Sequence, residues 1–128
     1  MGRIVTPVRV ENPMDPSKHI VFDALVDTGA SNLVLPGAWK ARLGVLASTQ
    51  EVDMETATQD TVKAEICGPV RIHIEGFRAI HGEVLFVDMH PENGMYEPLL
   101  GYIPLEQSQA AVDMLGHRLI PVKHLDLK

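Results

Sequence analysis

A two-residue alternation of apolar and polar side chains constrains the fold of this chain more than any other feature. It is strictest over residues 70–75, where valine and isoleucine alternate with arginine, histidine and glutamate. Residues 62–66 repeat it, with valine, alanine and isoleucine against lysine and glutamate. Because successive side chains of an extended strand point to opposite faces, such segments have one buried and one solvated face. Both segments are therefore predicted to be strands.

Short segments rich in valine, isoleucine and threonine, separated by glycine and proline, cover most of the remaining chain. Two segments have helical signals instead, because a proline near the start suits a first helical turn and Gly44 suits the end of the first helix. The helices are predicted at residues 36–43 and 104–111, and loops at 12–17 and 88–98. Strands are predicted at residues 4–11, 19–26, 32–35, 51–56, 61–67, 70–75, 77–80 and 83–87, with short strands around a turn at Gly116 and a last strand at 122–128. This pattern predicts an all-β domain, sandwich- or barrel-like.

Length, charge and cysteine content limit the classes of partner. The length predicts one domain over residues 1–128. The net charge of -6 disfavours nucleic acid as a partner, since binding phosphates needs a basic excess. No apolar run is long enough to cross a membrane, no secretory signal is recognisable, and the single Cys67 permits no internal disulfide. We therefore expect a cytoplasmic protein with no membrane partner.

Residues that commonly bind metals or act as nucleophiles form no recognisable site. The six histidines show no metal-ligand spacing among themselves or with Cys67, which is more typical of a buried structural thiol. Asp23 and Asp27 lie four residues apart, which places both on one face of a strand and leaves a metal-binding pair as an alternative. We predict no metal and no cofactor.

An acid at the end of an apolar strand is the first indication of function. Residues 24–26 are apolar and lead directly into Asp27, Thr28 and Gly29. A carboxylate in such a place is costly unless it is satisfied, and the Thr28 hydroxyl and a tight turn at Gly29 can provide partners. The same residue types are common in Asx-type turns, so a simple turn is an equally good interpretation of these three residues alone.

A second motif, later in the chain, favours the functional interpretation. Leu99-Leu100-Gly101 precedes a short predicted helix, and a predicted β-hairpin lies between the two motifs. In a chain of this length, this order of motifs resembles the retropepsin-like aspartic proteases, and their small cellular and prokaryotic members more than the retroviral enzymes. The resemblance extends from Ile4 to about Pro121.

The resemblance implies both a fold and an activity. The implied fold is a single-domain, closed β-barrel with a flap hairpin and one or two short helices. The implied activity is that of an aspartic endopeptidase that cleaves peptides or proteins as a homodimer, because each subunit of the family supplies one aspartate and this chain has one Asp-Thr-Gly. Asp27 is then the catalytic acid, Thr28 hydrogen-bonds across the interface to the partner's copy of the loop, and Gly29 lets the backbone approach the aspartate pair.

The same resemblance implies a set of substrate contacts. Leu25 and Leu99 match positions that line side-chain pockets, and Ala30 leaves space for the substrate. The hairpin over residues 54–66 matches the flap, with its tip at residues 57–60. The implied substrate-binding residues are Leu25, Ala30, Ser31, Asn32, Ala57, Thr58, Gln59, Asp60 and Leu99.

Two departures from the retroviral members leave a second function open. Retroviral flaps are glycine-rich, whereas residues 57–60 contain no glycine. Tyr102 stands where the retroviral enzymes carry a basic residue that supports the dimer, so the interface is expected to differ in detail. The alternative hypothesis is a module of the same fold that binds peptides or proteins with little or no turnover. A third is an unrelated β domain in which Asp27, Thr28 and Gly29 form only a turn.

Overall fold

The structure, a computed structural model, describes residues 3–55 and 59–123. Strands make up most of this part of the chain, which confirms the all-β prediction. A 3-10 helix spans Gly37–Leu43, and an α-helix, α1, spans Tyr102–Gln107. The strands are β1 (Val5–Asn12), β2 (Asp15–Val26), β3 (Leu33–Pro36), β4 (Ser48–Glu55), β5 (Thr61–Ile74), β6 (Ile80–Val87), β7 (Leu99–Leu100), β8 (Ala110–Asp113) and β9 (Arg118–Pro121).

The strand pairings close into a ring. Seven strands form one sheet in the order β1-β2-β7-β3-β6-β5-β4, and β1 also pairs with β5 through Val8–Glu11 and Arg71–Ile74. That additional pairing leaves β4 outside the ring, paired with β5 at its edge. Strands β8 and β9 form a separate two-stranded sheet. A closed ring of strands agrees with the predicted barrel and removes most exposed sheet edges.

The main apolar core lies inside the ring, and the two-residue alternation decides which side chains reach it. In β1, Val8 and Val10 are buried while Arg9 between them is half-buried, as the pleat of a strand requires. The inner faces of β3 and β5 contribute further fully buried aliphatic side chains. A smaller cluster of Val34, Ala64 and Leu85 lies on the opposite face of the sheet, beneath the β4–β5 hairpin. The ring is therefore covered on one outer side by that hairpin.

The first predicted loop, at residues 12–17, is shorter than the sequence indicated. Asn12 already pairs with Asp15, and the register shift between Glu11 and Asn12 leaves the residues after Asp15 as a bulge in β2. Pro16 is tolerated there because a bulge needs no ladder hydrogen bond from its nitrogen. The buried Asn12 side chain donates to the carbonyl of Leu43 (2.9 Å) and so ties this turn to the end of the 3-10 helix.

The break predicted at Gly68-Pro69 is wrong, because β5 continues through it. The pairing with β6 only shifts register between Cys67 and Val70, so Pro69 lies in an irregularity where it costs no ladder hydrogen bond. The strand predicted at residues 77–80 is also wrong over most of its length. Gly76 has a φ of 90°, which favours glycine, and the turn it forms delays β6 until Ile80.

The two helices occur where they were predicted, with shifted ends. Pro36 directly precedes the first helix, and Gly44 ends it with a φ of 68°, as expected for a glycine at a helix C-terminus. Helix α1 begins at Tyr102, before Pro104, and the last two residues of the predicted helix belong to β8. The predicted last strand at 122–128 falls mostly on residues 124–128, outside the described residues. Neither helix in the described part of the chain has the length and apolar character of a membrane span.

Candidate active site

The structure places the two sequence motifs side by side. Strand β2 runs parallel to β7, with Leu25 opposite Leu99 and Val26 opposite Leu100. Where β2 ends, the backbone amide of Asp27 donates a hydrogen bond to the carbonyl of Leu100 (3.0 Å). The apolar segment before the acid is therefore the end of β2, which lies between β1 and β7 in the ring, and the half-buried Asp27 follows it.

The residues after Asp27 form a tight turn that fixes its carboxylate. The amide of Gly29 donates to Oδ1 of Asp27 (2.9 Å), and the amide of Ala30 donates to the Asp27 carbonyl (3.1 Å). This is an Asx-type turn, so the simple structural interpretation describes the local geometry correctly. A Cβ at position 29 would lie 3.1 Å from the same carboxylate oxygen, a tight contact that glycine avoids. The turn therefore fixes Oδ1 of the Asp27 carboxylate through the amide of Gly29.

Three consecutive hydrogen bonds hold the next part of this loop. The amides of residues 101–103 donate to the carbonyls of residues 30–32 at 2.9–3.0 Å. The approach is so close that a Cβ at Gly101 would lie 2.5 Å from the carbonyl oxygen of Asn32 and 2.6 Å from that of Ala30. No side chain fits there, which explains why a glycine follows Leu99-Leu100. We call residues 27–32, held in this way, the Asp27 loop.

The outer side of the Asp27 loop faces solvent. Thr28 and Gly29 are exposed, whereas Asp27, Ala30 and Asn32 are half-buried. Among the described residues the Thr28 hydroxyl has no hydrogen-bond partner, in contrast to the exposed Ser31, whose hydroxyl donates to Oδ1 of Asn32 (2.7 Å). The loop thus presents an acid, a hydroxyl and a glycine together on an accessible surface.

Leu25 and Leu99, both half-buried, lie in a groove of about 810 Å³ next to the Asp27 loop. One side of the groove is the outer face of β1 and β2, and the other is the segment of residues 88–98, which we call the groove wall. Val5 and Tyr96 also line this groove and were missed by sequence reasoning. Val5 is the register partner of Leu25 in the β1–β2 hairpin. Pairing these two predicted strands would therefore have identified Val5 as a neighbour of Leu25. Nothing local in the sequence marks Tyr96.

The β4–β5 hairpin approaches Leu99 from the other side. Its strands pair in register from Ser48 opposite Gly68 to Glu55 opposite Thr61, as the hairpin prediction required. Its inner side chains, among them Val52, Met54 and Ile66, pack with Leu99 around the smaller apolar cluster. Leu99 therefore lies between the groove and the hairpin.

The predicted hairpin tip lies only partly within the described residues. Gln59 and Asp60 are exposed and precede β5, and Gln59 has a φ of 64°. Neither lines the groove that holds Leu25 and Leu99. Ala57 and Thr58, the other two predicted contacts at the tip, lie outside the described residues.

Side chains, together with a hydrogen bond from the Leu25 amide to the Pro98 carbonyl (2.9 Å), hold the groove wall in place. Tyr96 meets Trp39 of the 3-10 helix edge-on, with ring centroids 6.0 Å apart, and Trp39 packs in turn against Phe22 of β2 at 5.5 Å. At the rim, Arg3 forms an ion pair with Glu97 (2.8 Å). The hydrogen bond and positive charge of Arg3 lower the pKa of the Glu97 carboxyl. Both side chains are largely exposed, so solvent screens this interaction.

The alternative of a metal site finds no support in the arrangement of side chains. Within residues 3–55 and 59–123, no three His, Cys, Asp or Glu side chains come together in a way that could hold a metal ion. Asp23 lines the groove, whereas Asp27 is engaged by the amide of Gly29.

Comparisons with known proteins agree with this arrangement. Residues 6–102 match the family model described as aspartyl protease, and no curated protein matches the chain. Among solved structures, the EIAV protease complexed with the inhibitor HBY-793 is similar over 83% of this chain and 88% of its own, with 24% identity and a TM-score of 0.59. A retropepsin-like aspartic protease from Rickettsia conorii aligns over 88% and 89% of the two chains, with 20% identity and a TM-score of 0.43. The resemblance that the two motifs indicated is confirmed: this chain belongs to the aspartyl protease family and has the retropepsin-like fold.

Proposed function

We propose that this protein is an aspartic endopeptidase that acts as a homodimer, in which Asp27 of each chain contributes one carboxyl group to a shared active site. The observation that carries the proposal is the geometry of the Asp27 loop. Its carboxylate is fixed by the amide of Gly29 and its backbone is anchored to Leu100, beside an accessible groove. This is a rigid placement of an acid next to a surface where a peptide can lie.

The need for a second copy follows from chemistry and from the sequence. Hydrolysis of a peptide bond by this route needs one group to take a proton from water and another to protonate the amide. The chain holds a single Asp-Thr-Gly, so a second chain is the source of the second carboxyl. The exposed Thr28 and Gly29 are then available for contact with the partner's copy of the same loop.

The mechanism requires the two carboxyl groups to share one proton. Two carboxylates held close together cannot both ionise cheaply, so the pair binds a proton and titrates as a unit. The ionised member acts as general base on a water molecule, and the protonated member acts as general acid towards the scissile amide. The hydrogen bond from the Gly29 amide orients the Asp27 carboxylate for this role.

Substrate contacts are assigned to the surfaces around the loop. Leu25 and Leu99 contact side chains of the peptide, Ala30 leaves room for it, and the polar Ser31 and Asn32 bind its main chain. The β4–β5 hairpin covers the bound peptide, with residues 57–60 at its tip. The place of Leu25 and Leu99 in the groove and the packing of the hairpin near Leu99 support the roles given to them, whereas Ala30, Ser31 and Asn32 do not line the groove.

The second candidate function is peptide binding with little turnover. It is favoured by one observation, the lack of glycine in residues 57–60, because a stiffer tip hinders closure over a substrate. A cytoplasmic location stays a prediction from the sequence, which cell fractionation tests.

Cleavage of a peptide library across acidic and neutral pH, comparing the wild type with Asp27→Asn, separates the two functions. The proposal expects cleavage by the wild type and none by Asp27→Asn. Glu75→Gln removes an exposed carboxylate that does not line the groove and should cleave like the wild type. Equal cleavage by Asp27→Asn would refute the proposed mechanism, and dimerisation without cleavage by the wild type would favour the binding module.

A further inference from the structure

The groove beside the Asp27 loop has a chemical character that points to one class of substrate side chain; this inference rests on the proposed function. Leu25 lies two residues before Asp27 and is opposite Leu99 in the parallel pairing of β2 with β7. Both leucines line the groove of about 810 Å³. A peptide positioned over Asp27 therefore places a neighbouring side chain in this groove.

The groove offers an apolar surface on which an aliphatic chain can lie. Besides the two half-buried leucines, it is lined by Val5, which is 49% exposed, and by Met95, which is 74% exposed. Such apolar area stays in contact with water unless a ligand covers it, and covering it is favourable. The groove thus suits the methylene stem of a long side chain.

The charges around this apolar surface are predominantly negative. Asp23, Glu92 and Glu97 line the groove, together with the basic side chain of Arg3 and with His90. Arg3 is already paired with Glu97 at 2.8 Å. Within residues 3–55 and 59–123, the carboxylates of Asp23 and Glu92 form no ion pair. Two further carboxylates thus line the groove in addition to the pair, and Glu92 lies close enough to Arg3 to interact with its charge.

We propose that this groove binds an arginine or lysine side chain of the peptide substrate next to the scissile bond. The methylene stem lies on Leu25 and Leu99, and the cationic end reaches Asp23 and Glu92. Arginine and lysine combine an aliphatic stem with a charged end, which matches this lining. Hydrogen bonds between ionised partners are stronger than neutral ones, so the positive charge adds affinity. Acidic side chains are disfavoured in the groove because the same carboxylates repel them.

Matched peptides that differ only by arginine or citrulline at one position test this proposal, because citrulline keeps the length and shape of arginine without its charge. We expect kcat/KM to favour the arginine peptide by about tenfold. Asp23→Asn and Glu92→Gln should each reduce that preference, and Glu75→Gln, which removes an exposed carboxylate that does not line the groove, should keep it. Added salt should reduce the preference, because ions screen the exposed charges.

Titration calorimetry of the same peptides with Asp27→Asn separates failure of this inference from failure of the proposed function. Tighter binding of the arginine peptide, lost in the double variant Asp23→Asn with Asp27→Asn, supports the basic side-chain site even if no peptide is cleaved. If the wild type cleaves both peptides equally and Asp27→Asn binds both equally, the inference is overturned while the protease assignment stands. If the wild type cleaves neither peptide and Asp27→Asn binds both equally, the inference fails as well.

Discussion

The Asp27 loop and the groove wall lie next to each other, but the loop is held by main-chain hydrogen bonds and most of the wall by side chains. The Asp27 loop (residues 27–32) is fixed by main-chain hydrogen bonds to residues 100–103. The groove wall (residues 88–98) is joined to the sheet at its end by the hydrogen bond from the Leu25 amide to the Pro98 carbonyl (2.9 Å), and otherwise by side chains: the contact of Tyr96 with Trp39 and the exposed pair of Arg3 and Glu97. Main-chain bonds do not depend on side-chain identity, except where glycine is needed. Substitutions can therefore change the groove while the position of the acid stays the same.

The main-chain contact of the Asp27 loop should be the most sensitive to substitution. In Gly101→Ala the new Cβ would lie 2.5–2.6 Å from backbone atoms of the loop, none of which can rotate away. We expect a loss of roughly 3 kcal/mol in the free energy of unfolding, because overpacking forces the backbone apart. Urea denaturation measures it. Gly37→Ala is the matched control, since its Cβ would meet only ordinary contacts at 3.6 Å; equal losses in both variants would contradict this account.

The closure of the ring provides the second prediction, because it depends on a buried carboxylate. Glu11 accepts hydrogen bonds from Arg71 (2.8 Å) and from Arg9 (3.3 Å) at the seam between β1 and β5. Burial alone raises the pKa of Glu11, but the two arginines outweigh it and hold the pKa below the usual 4.5. Glu11→Gln should lower the free energy of unfolding by about 1–2 kcal/mol at neutral pH.

The pH dependence of that effect follows from the direction of the shift. A carboxyl with a lowered pKa in the folded state stabilises the fold above its unfolded pKa and loses this contribution as the pH falls through its folded pKa. The difference between the wild type and Glu11→Gln should therefore be full above pH 4.5 and shrink below it. Denaturation at several pH values measures the difference. A constant value across this range would contradict the assigned role of Glu11.

The third prediction concerns the aromatic contact of the groove wall. A double-mutant cycle with Trp39→Phe and Tyr96→Leu should give a coupling energy of about 1 kcal/mol, the usual range for an edge-on aromatic pair. Trp39 does not line the groove itself but contacts Tyr96, which does. Trp39→Phe should therefore loosen the groove wall and raise KM, while kcat stays close to that of the wild type. An equal fall in kcat would mean that the wall and the Asp27 loop are not independent.

The smallest effect is expected at the rim. Glu97→Gln removes the partner of Arg3, but the pair is exposed, so the midpoint of thermal unfolding should stay the same within error. Any change in KM should be weak at low salt and absent at high salt, because ions screen the pair. A shift in the unfolding midpoint that persists at high salt would show that this pair holds the wall more firmly than its exposure indicates.

The sequence predicted local elements and the two motifs better than the contacts between distant segments. Alternation located most strands, and the order of Asp27-Thr28-Gly29 and Leu99-Leu100-Gly101 indicated the family. The pairing of β1 with β5 has no local signal, because either strand could pair elsewhere with the same faces buried. The bulge at Gly68-Pro69 and the aromatic anchor of Tyr96 were missed for the same reason, since both depend on a partner far along the chain.

Activity in mixtures of wild-type chains with Asp27→Asn chains tests most directly whether Asp27 is half of an active site. If each site needs Asp27 from two chains, exchange of subunits in an equal mixture should lower the activity per wild-type chain to about half, because half of the partners then lack the carboxyl. In mixtures with Glu75→Gln chains, which are expected to cleave like the wild type, the activity per total chain should stay the same; this controls for the exchange of subunits itself. Activity per wild-type chain that stays the same in the Asp27→Asn mixture would show that one chain acts alone and would contradict the central claim.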